Sequence, residues 1–442
     1  MLAVCLGGAS LYGQTAAAKA DGAITITLQE AIRRAEEIEP MFAAAVASSK
    51  NAQLDRSIAR AALLPTARAF SQDIYTQPNG INAEGGEGVL SPDPRFVSND
   101  ARPREYIAQG IVEERLNLAG PAAVRRADAA AAQAAAEMEI ARRGLVATVT
   151  RLYYDAIATD ARVAIAERSH DDASDFVILA EKREQARETA HADVVKAELE
   201  EQTRARELED ARLTAERARL ELGVLLFADP NTPYTLSDEK PASLASREDV
   251  EQAAAKNNPD LRSALAALAA SKADVLAARA GYLPTAVLNL TYGIDANEFA
   301  VNGPLTPSGL RARNLGYSTT VTVDLPVWDW LATEHKVKQS EIRRQAAQTA
   351  LTATQRELIA RLNEAYDEAA TARNQLASLD VSVATAAESL RLTKLSYAGG
   401  EATVLEVVDA QAAYMTAENA REDGRVRYRM ALADLQTLTG NL

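Results

Sequence analysis

Leu283-Pro284-Thr285-Ala286-Val287-Leu288-Asn289-Leu290-Thr291-Tyr292-Gly293-Ile294 is the stretch whose period decides the fold. Proline cannot donate to a helix and disfavours helix in the residue before it, so Pro284 stops whatever helix precedes it. After it the period falls to two. Leu288, Leu290, Tyr292 and Ile294 alternate with Asn289, Thr291 and Gly293, the mark of a strand with one apolar face. Further on, Tyr317, Thr319, Val321, Val323 and Leu325 alternate with Ser318, Thr320, Thr322 and Asp324 in the same way. Two strands are predicted, about 286–294 and 316–326, joined by a Gly-, Asn- and Pro-rich loop over 295–314.

The same signal occurs earlier. Leu64-Pro65-Thr66 precedes Leu283-Pro284-Thr285 by 219 residues, and at that offset Pro40 falls on Pro259, Asp55 on Asp274 and Arg60 on Arg279. Over residues 40–66, ten of 27 aligned positions are identical. Asp193-Val194-Val195-Lys196-Ala197 is echoed by Glu406-Val407-Val408-Asp409-Ala410 at an offset of 213. Two tandem repeats are therefore read, 21–246 and 247–442. The first repeat offers strands at about 67–76 and 106–118, with weaker alternation and a loop over 77–104.

Helices fill the rest. One is predicted from about Leu28 to Leu63 and its counterpart from Arg247 to Tyr282. After each strand pair comes a long helical hairpin, about 122–227 and 331–438. Leu145, Val149, Leu152, Ala156, Thr159, Val163 and Ala166 step by four and three, as do Leu351, Gln355, Leu358, Leu362, Ala365 and Ala369. Such spacing supercoils a helix against a neighbour. At 1.5 Å per residue the first arm is about 100 Å long. Alanine is as common as leucine in these seams, which suits a thin-walled assembly.

Composition excludes several classes. A net charge of −14 provides no basic stripe for phosphates, so nucleic acid is not expected as a partner. Cys5 is the one cysteine, so no disulfide framework exists. His170, His191 and His335 are far apart, and with no Cys/His cluster a zinc-type site has no ligands. Phosphate-cradling glycine loops and nucleophile elbows are missing. Neither an enzyme nor a cofactor is expected. Residues 1–20 read as a signal peptide ending in Ala18-Lys19-Ala20, with its basic region missing and Leu2-Ala3-Val4-Cys5 a poor lipid-attachment box.

The strands set the assembly. Their length and pattern suit a bilayer-spanning β-strand. Lipid tolerates only helices and closed barrels, because every backbone polar group must find a partner there. Four strands cannot close a barrel, so copies must associate, as a dimer of eight strands or a trimer of twelve. Asn289 and Asp324 on the polar face fit a water-filled lumen, and Trp328 and Trp330 suit interfacial anchoring. Soluble hairpins are the bland alternative.

The order helix, Leu-Pro-Thr, strand pair, helical hairpin, twice over, resembles the TolC-type outer-membrane efflux family. Tyr397-Ala398-Gly399-Gly400-Glu401-Ala402-Thr403-Val404-Leu405-Glu406-Val407-Val408-Asp409-Ala410 is similar to that family's hairpin-tip motif. Leu325-Pro326-Val327-Trp328 resembles its strand-to-helix swivel and Leu438-Thr439-Gly440 its closing Leu-Gly. The resemblance implies a mainly α fold with a small β part and a homotrimer in outer-membrane lipid. It implies a twelve-stranded β-barrel continued by an α-helical barrel across the periplasm. The implied partners are a periplasmic adaptor protein and an inner-membrane pump or ABC-type transporter. It further implies a periplasmic gate at Glu406, Asp409, Asp193 and Tyr397. Adaptor docking falls at the tips, on Gly399, Gly400, Thr403, Arg187 and Thr189, and barrel–helix junctions at Pro65, Pro284 and Pro326. Glu406 and Asp409, three apart on one helical face, would stack as acidic rings around a shared axis.

Two positions depart from the family. Ala402 stands where an arginine latches to the aspartate and tyrosine, so closure must rest on other contacts. Arg187 stands where the first hairpin's tip carries glycine, and that tip is expected to turn differently. The function expected is a passive exit duct for efflux or type I secretion. Its rival is a non-channel periplasmic coiled-coil adaptor or scaffold, which would lack duplicated strand pairs.

Overall fold

The computed structural model describes residues 24–75, 104–238, 243–296, 298–305 and 307–440. The signal reading over 1–20, with Cys5, lies outside the described residues, as does nearly all of the loop 77–104. The chain order is β1 (Ile24–Ile26), α1 (Leu28–Ile38), α2 (Pro40–Ala61), β2 (Thr66–Tyr75), β3 (Arg104–Leu116), α3 (Ala119–Gln185) and α4 (His191–Leu226). It continues with β4 (Tyr234–Leu236), α5 (Arg247–Asn257), α6 (Pro259–Ala280), β5 (Thr285–Ala296), β6 (Asn302–Leu305), β7 (Arg311–Arg313) and β8 (Leu315–Asp324). Then come α7 (Ala332–Ala398) and α8 (Val404–Thr439). The protein is mainly helical with a small sheet part. Both α3 and α7 have 67 residues, and both α4 and α8 have 36.

Four corrections to the sequence reading follow. The helices expected over 28–63 and 247–282 are each two helices, broken at Glu39 and Asn258. Those residues precede Pro40 and Pro259, and both are extended, with ψ of 119° and 124°. The proline ring excludes helix from the residue before it. β3 ends at Leu116 and not at 118, because Asn117 Oδ1 accepts the Gly120 N–H at 2.7 Å and so caps α3. β8 ends at Asp324 and not at 326, since Pro326 cannot donate to a ladder. The loop expected over 295–314 holds the antiparallel pair β6–β7, whose turn contains Gly309 at φ 78°.

Two compact units divide the chain, each drawing on both sequence halves. One contains the described part of Met1–Glu39 with Leu145–Ala245 and Ala365–Leu435. In it β1 and β4 pair in parallel. The buried Tyr153 hydroxyl donates toward Ile26 O at 3.0 Å and Ser237 O at 2.7 Å, which fixes that pair to α3. Ile26, Val149, Tyr153, Leu222, Leu226 and Tyr234 are fully buried around it, each large apolar side chain contributing about 1.5–3 kcal/mol.

The other unit contains Pro40–Gly144, Ser246–Glu364 and Gln436–Leu442. Its sheet is antiparallel in the order β2-β3-β5-β8. Ala286, Leu288, Leu290 and Tyr292 of β5 stand level with Val323, Val321, Thr319 and Tyr317 of β8. On the opposite face Thr285, Asn289 and Thr291 stand level with Asp324, Thr320 and Ser318. Leu288, Leu290, Tyr292, Tyr317, Val321 and Val323 are all exposed. β2 and β8 are the outer strands of this sheet, each paired on one side among the described residues. Among those residues, no helix is long and apolar enough to cross a membrane.

Candidate functional site at the hairpin tips

The two tips lie in the first unit and close in one manner. After α3, the Glu188 N–H donates to Arg183 O and the Arg187 N–H to Glu184 O, both at 2.8 Å. After α7, the Glu401 N–H donates to Ser396 O at 2.9 Å and the Gly400 N–H to Tyr397 O at 3.1 Å. This pair of bonds terminates a helix through one left-handed residue. Gly400 has φ 80° and Arg187 φ 61°. The expectation of a different turn at the first tip is thus corrected: arginine takes the left-handed conformation that glycine takes in the second.

The helices that leave the tips start differently. Thr403 and Glu406 form a capping box on α8. The Thr403 N–H and hydroxyl donate to Glu406 Oε2 at 2.6 and 3.1 Å, and the Glu406 N–H returns to Thr403 Oγ1 at 3.4 Å. Glu406 therefore stabilises the helix start while its side chain stays exposed. On α4 no side chain caps the N-terminus. Asp193 there accepts from Thr189 Oγ1 at 3.0 Å and Lys196 Nζ at 3.4 Å. Asp409, one turn after Glu406, is exposed and makes no bond among the described residues.

A shared apolar cluster joins the tips. Phe176, Val177, Ala180, Val194 and Ala197 of the first hairpin pack with Tyr397, Val404 and Val407 of the second, and Ala402 lies against them. Tyr397 is 2% exposed, with its ring 5.0 Å from that of Phe176. Burial pushes its phenol above the ordinary range, and the neighbouring Arg183 opposes that rise. Its hydroxyl is enclosed near Thr189 without a hydrogen bond of good geometry. The structure thus gathers Tyr397, Thr189 and Asp193, while Glu406 and Asp409 line the exposed side of α8.

Arg183 is a further residue of this site, one that no sequence motif marks. Its guanidinium lies 4.8 Å from the Tyr397 ring centre, donates from Nη1 to Tyr397 O and from Nε to Glu188 Oε2 at 3.4 Å. A basic residue in a helix's last turn was a visible signal. Its partner, 214 residues away, was not.

Where helix gives way to sheet, Pro65 and Pro284 each stand one residue before a strand. The turns ahead of them match, with Leu64 N–H on Ala61 O and Leu283 N–H on Ala280 O, both at 3.0 Å. Beyond Pro326, Trp330 and Leu331 take φ of 55° and 64°. Asp329 Oδ2 accepts the Thr333 N–H at 2.8 Å and its hydroxyl at 2.5 Å, capping α7.

Residues 250–441 match the family described as outer membrane efflux protein. The proteases secretion protein PrtF of Dickeya chrysanthemi is 27% identical over 195 residues, 44% of this chain and 42% of that protein. Outer membrane protein OprJ of Pseudomonas aeruginosa is 28% identical over 180 residues, 41% of this chain and 36% of its own. The chain spans less than half the length of the curated relatives it matches. The solved structure of outer membrane protein VceC from Vibrio cholerae shares the fold with a TM-score of 0.76, at 19% identity, over 93% of this chain and 96% of that one. Residues 250–441 are thus similar to the outer membrane efflux proteins, and the chain as a whole shares the fold of outer-membrane channels of known structure.

Proposed function

We propose that three copies of this chain form an outer-membrane exit duct, a passive conduit with no chemistry of its own. The observation that carries this is the four-stranded sheet with two outer strands open for pairing, in which β5 and β8 present one apolar and one polar face. In lipid an open edge is not tolerated. Pairing β8 of one copy with β2 of the next seals twelve strands into a barrel, apolar outward and lined by Asn289, Thr320 and Asp324. Equal-length helix pairs in the two sequence halves, 21–246 and 247–442, supply the staves of a helical barrel below. Residues 1–20 direct export as a signal peptide.

In this reading the duct serves a tripartite efflux or type I secretion system. A periplasmic adaptor docks at Arg187, Thr189, Gly399, Gly400 and Thr403, and an inner-membrane pump or ABC-type transporter supplies the substrate. Glu406, Asp409, Asp193 and Tyr397 surround the periplasmic entrance, the acids as cation-attracting rings. Pro65, Pro284 and Pro326 turn the chain between the two barrels.

Reconstitution tests it. Purified protein in planar bilayers should give discrete conductance steps, and cross-linking in outer-membrane fractions should yield a trimer. A folded monomer in detergent-free buffer that leaves bilayers silent refutes the duct.

A further inference from the structure

We propose that Arg183 pins the second hairpin's tip to the first within each protomer and so limits how far the entrance opens. The role rests on reading these tips as the entrance.

The geometry is that of a purpose-shaped contact. Arg183 sits in the last turn of α3, and its side chain is 13% exposed. It meets the last turn of α7 in two ways, donating to the backbone oxygen of Tyr397 and lying 4.8 Å from the Tyr397 ring centre. A cation at a helix C-terminus also opposes the negative end of the helix dipole. Gly400 completes the fit. It provides the left-handed turn, and a Cβ built there would lie 3.3 Å from Arg183 Nη2. The tip glycine thus leaves room for the guanidinium as well as allowing the turn.

A second arginine of α3 has a similar arrangement in the other compact unit. Arg143 donates from Nη1 to Thr437 O at 2.7 Å and from Nη2 to Asn257 O at 3.0 Å. Past the end of α8, Gly440 has φ 79°, and a Cβ there would lie 2.5 Å from Arg143 Nη2. Arginines of α3 thus terminate both α7 and α8. Arg143 does so among half-buried partners far along the chain from any tip, whereas Arg183 does so between the two tips. Ala402 cannot reach a polar partner, so Arg183 is the cation that ties the second tip down.

Separating the tips breaks this contact and uncovers Tyr397. The Tyr397 hydroxyl contributes nothing to the pin, since the ring face and the backbone oxygen are the surfaces used. Arg183→Met keeps the stem and removes the planar cation, while Lys182→Met removes the exposed neighbouring charge of the same helix turn and leaves the pin in place.

The test uses the full chain in planar bilayers, with hydrogen exchange on the same preparations. Arg183→Met is expected to raise single-pore conductance by about twofold or more. It should also speed exchange of the Gly400 to Thr403 amides about tenfold, as expected for one lost charge-assisted bond. Lys182→Met should change neither. Should Arg183→Met not assemble, Arg183→Lys, which keeps charge but not the planar face, should shift both readouts the same way by less. Wild-type conductance and exchange in either Arg183 variant overturn the pin while leaving the duct standing. A wild-type protein that passes no current overturns the duct and, with it, any gating role for Arg183.

Discussion

Arg187 and Gly400 stand 213 residues apart and hold the same backbone position in two hairpin tips, at φ 61° and 80°. For glycine this conformation is free of steric cost. For arginine it brings Cβ against the backbone, at about 1 kcal/mol. Arg187→Gly should therefore tighten the first tip despite removing a side chain. Amide exchange at Arg187 and Glu188 should slow several-fold, whereas Gly400→Arg should accelerate exchange at the second tip. Faster exchange in Arg187→Gly would mean that the arginine side chain makes a stabilising contact that outweighs its backbone strain.

Glu406 has two separable roles, as the N3 member of a capping box and as a charge facing the proposed entrance. Glu406→Gln keeps an acceptor for the Thr403 N–H and removes the charge. Asp409→Asn removes a charge that no bond engages. The double variant should lose most cation preference in reversal-potential measurements while α8 stays intact. Thr403→Ala should do the converse, keeping selectivity and weakening the helix start by about 1 kcal/mol. Unaltered selectivity in the double variant would take both acids out of the gate.

Much of the fold was legible because period survives in sequence. The step from 3.6 to 2 after Pro284 marks β5 and β8, and the repeated Leu-Pro-Thr with a weaker alternation after Pro65 marks β2 and β3. Pro40 and Pro259 stand as an aligned pair, yet the apolar pattern that continues across them hides the helix breaks they impose at Glu39 and Asn258. The left-handed turn at Arg187 was illegible for a physical reason. Hydrogen bonds to Arg183 O and Glu184 O enforce it, and they depend on where α3 ends, not on the residue's own preference. Of the candidate site, the resemblance names Tyr397 and Asp193 together as gate residues, whereas it names Thr189 only with the docking tips, and Thr189 joins them through its bond to Asp193. The Arg183 contact joins last turns of helices from different halves, and no local pattern encodes such a meeting.

Asp329 links pH to the start of α7. The Thr333 hydroxyl and N–H bonded to it hold its carboxyl below the usual aspartate range. A depressed pKa in the fold means that the stabilisation is present above the ordinary value and is lost as pH falls through the lowered one. Trp328 and Trp330 flank Asp329 and are the chain's two tryptophans, their rings 5.6 Å apart. Intrinsic fluorescence therefore reports this cap directly. Emission should shift as acid protonates Asp329, and Asp329→Asn should remove that shift. A transition that persists in the variant would assign it to another group, Glu334 being the nearest carboxylate whose pKa is also lowered, by Lys338.

Pro284 and Pro65 occupy matching turns directly ahead of β5 and β2. Proline at that position restricts φ in the unfolded chain and withholds an N–H that would otherwise extend the helix. Without it, α6 could wind one turn further and carry Thr285 out of its pairing with Asp324. A shift of one residue would turn Leu288, Leu290 and Tyr292 to the polar face. Pro284→Ala should accordingly impair assembly, read as a reduced fraction of heat-modifiable oligomer in outer-membrane fractions. Pro65→Ala should act in the same direction but more weakly, because the faces of β2 differ less in polarity than those of β5. Oligomer at wild-type level in Pro284→Ala would show that the ladder to β3 and β8 alone sets the register.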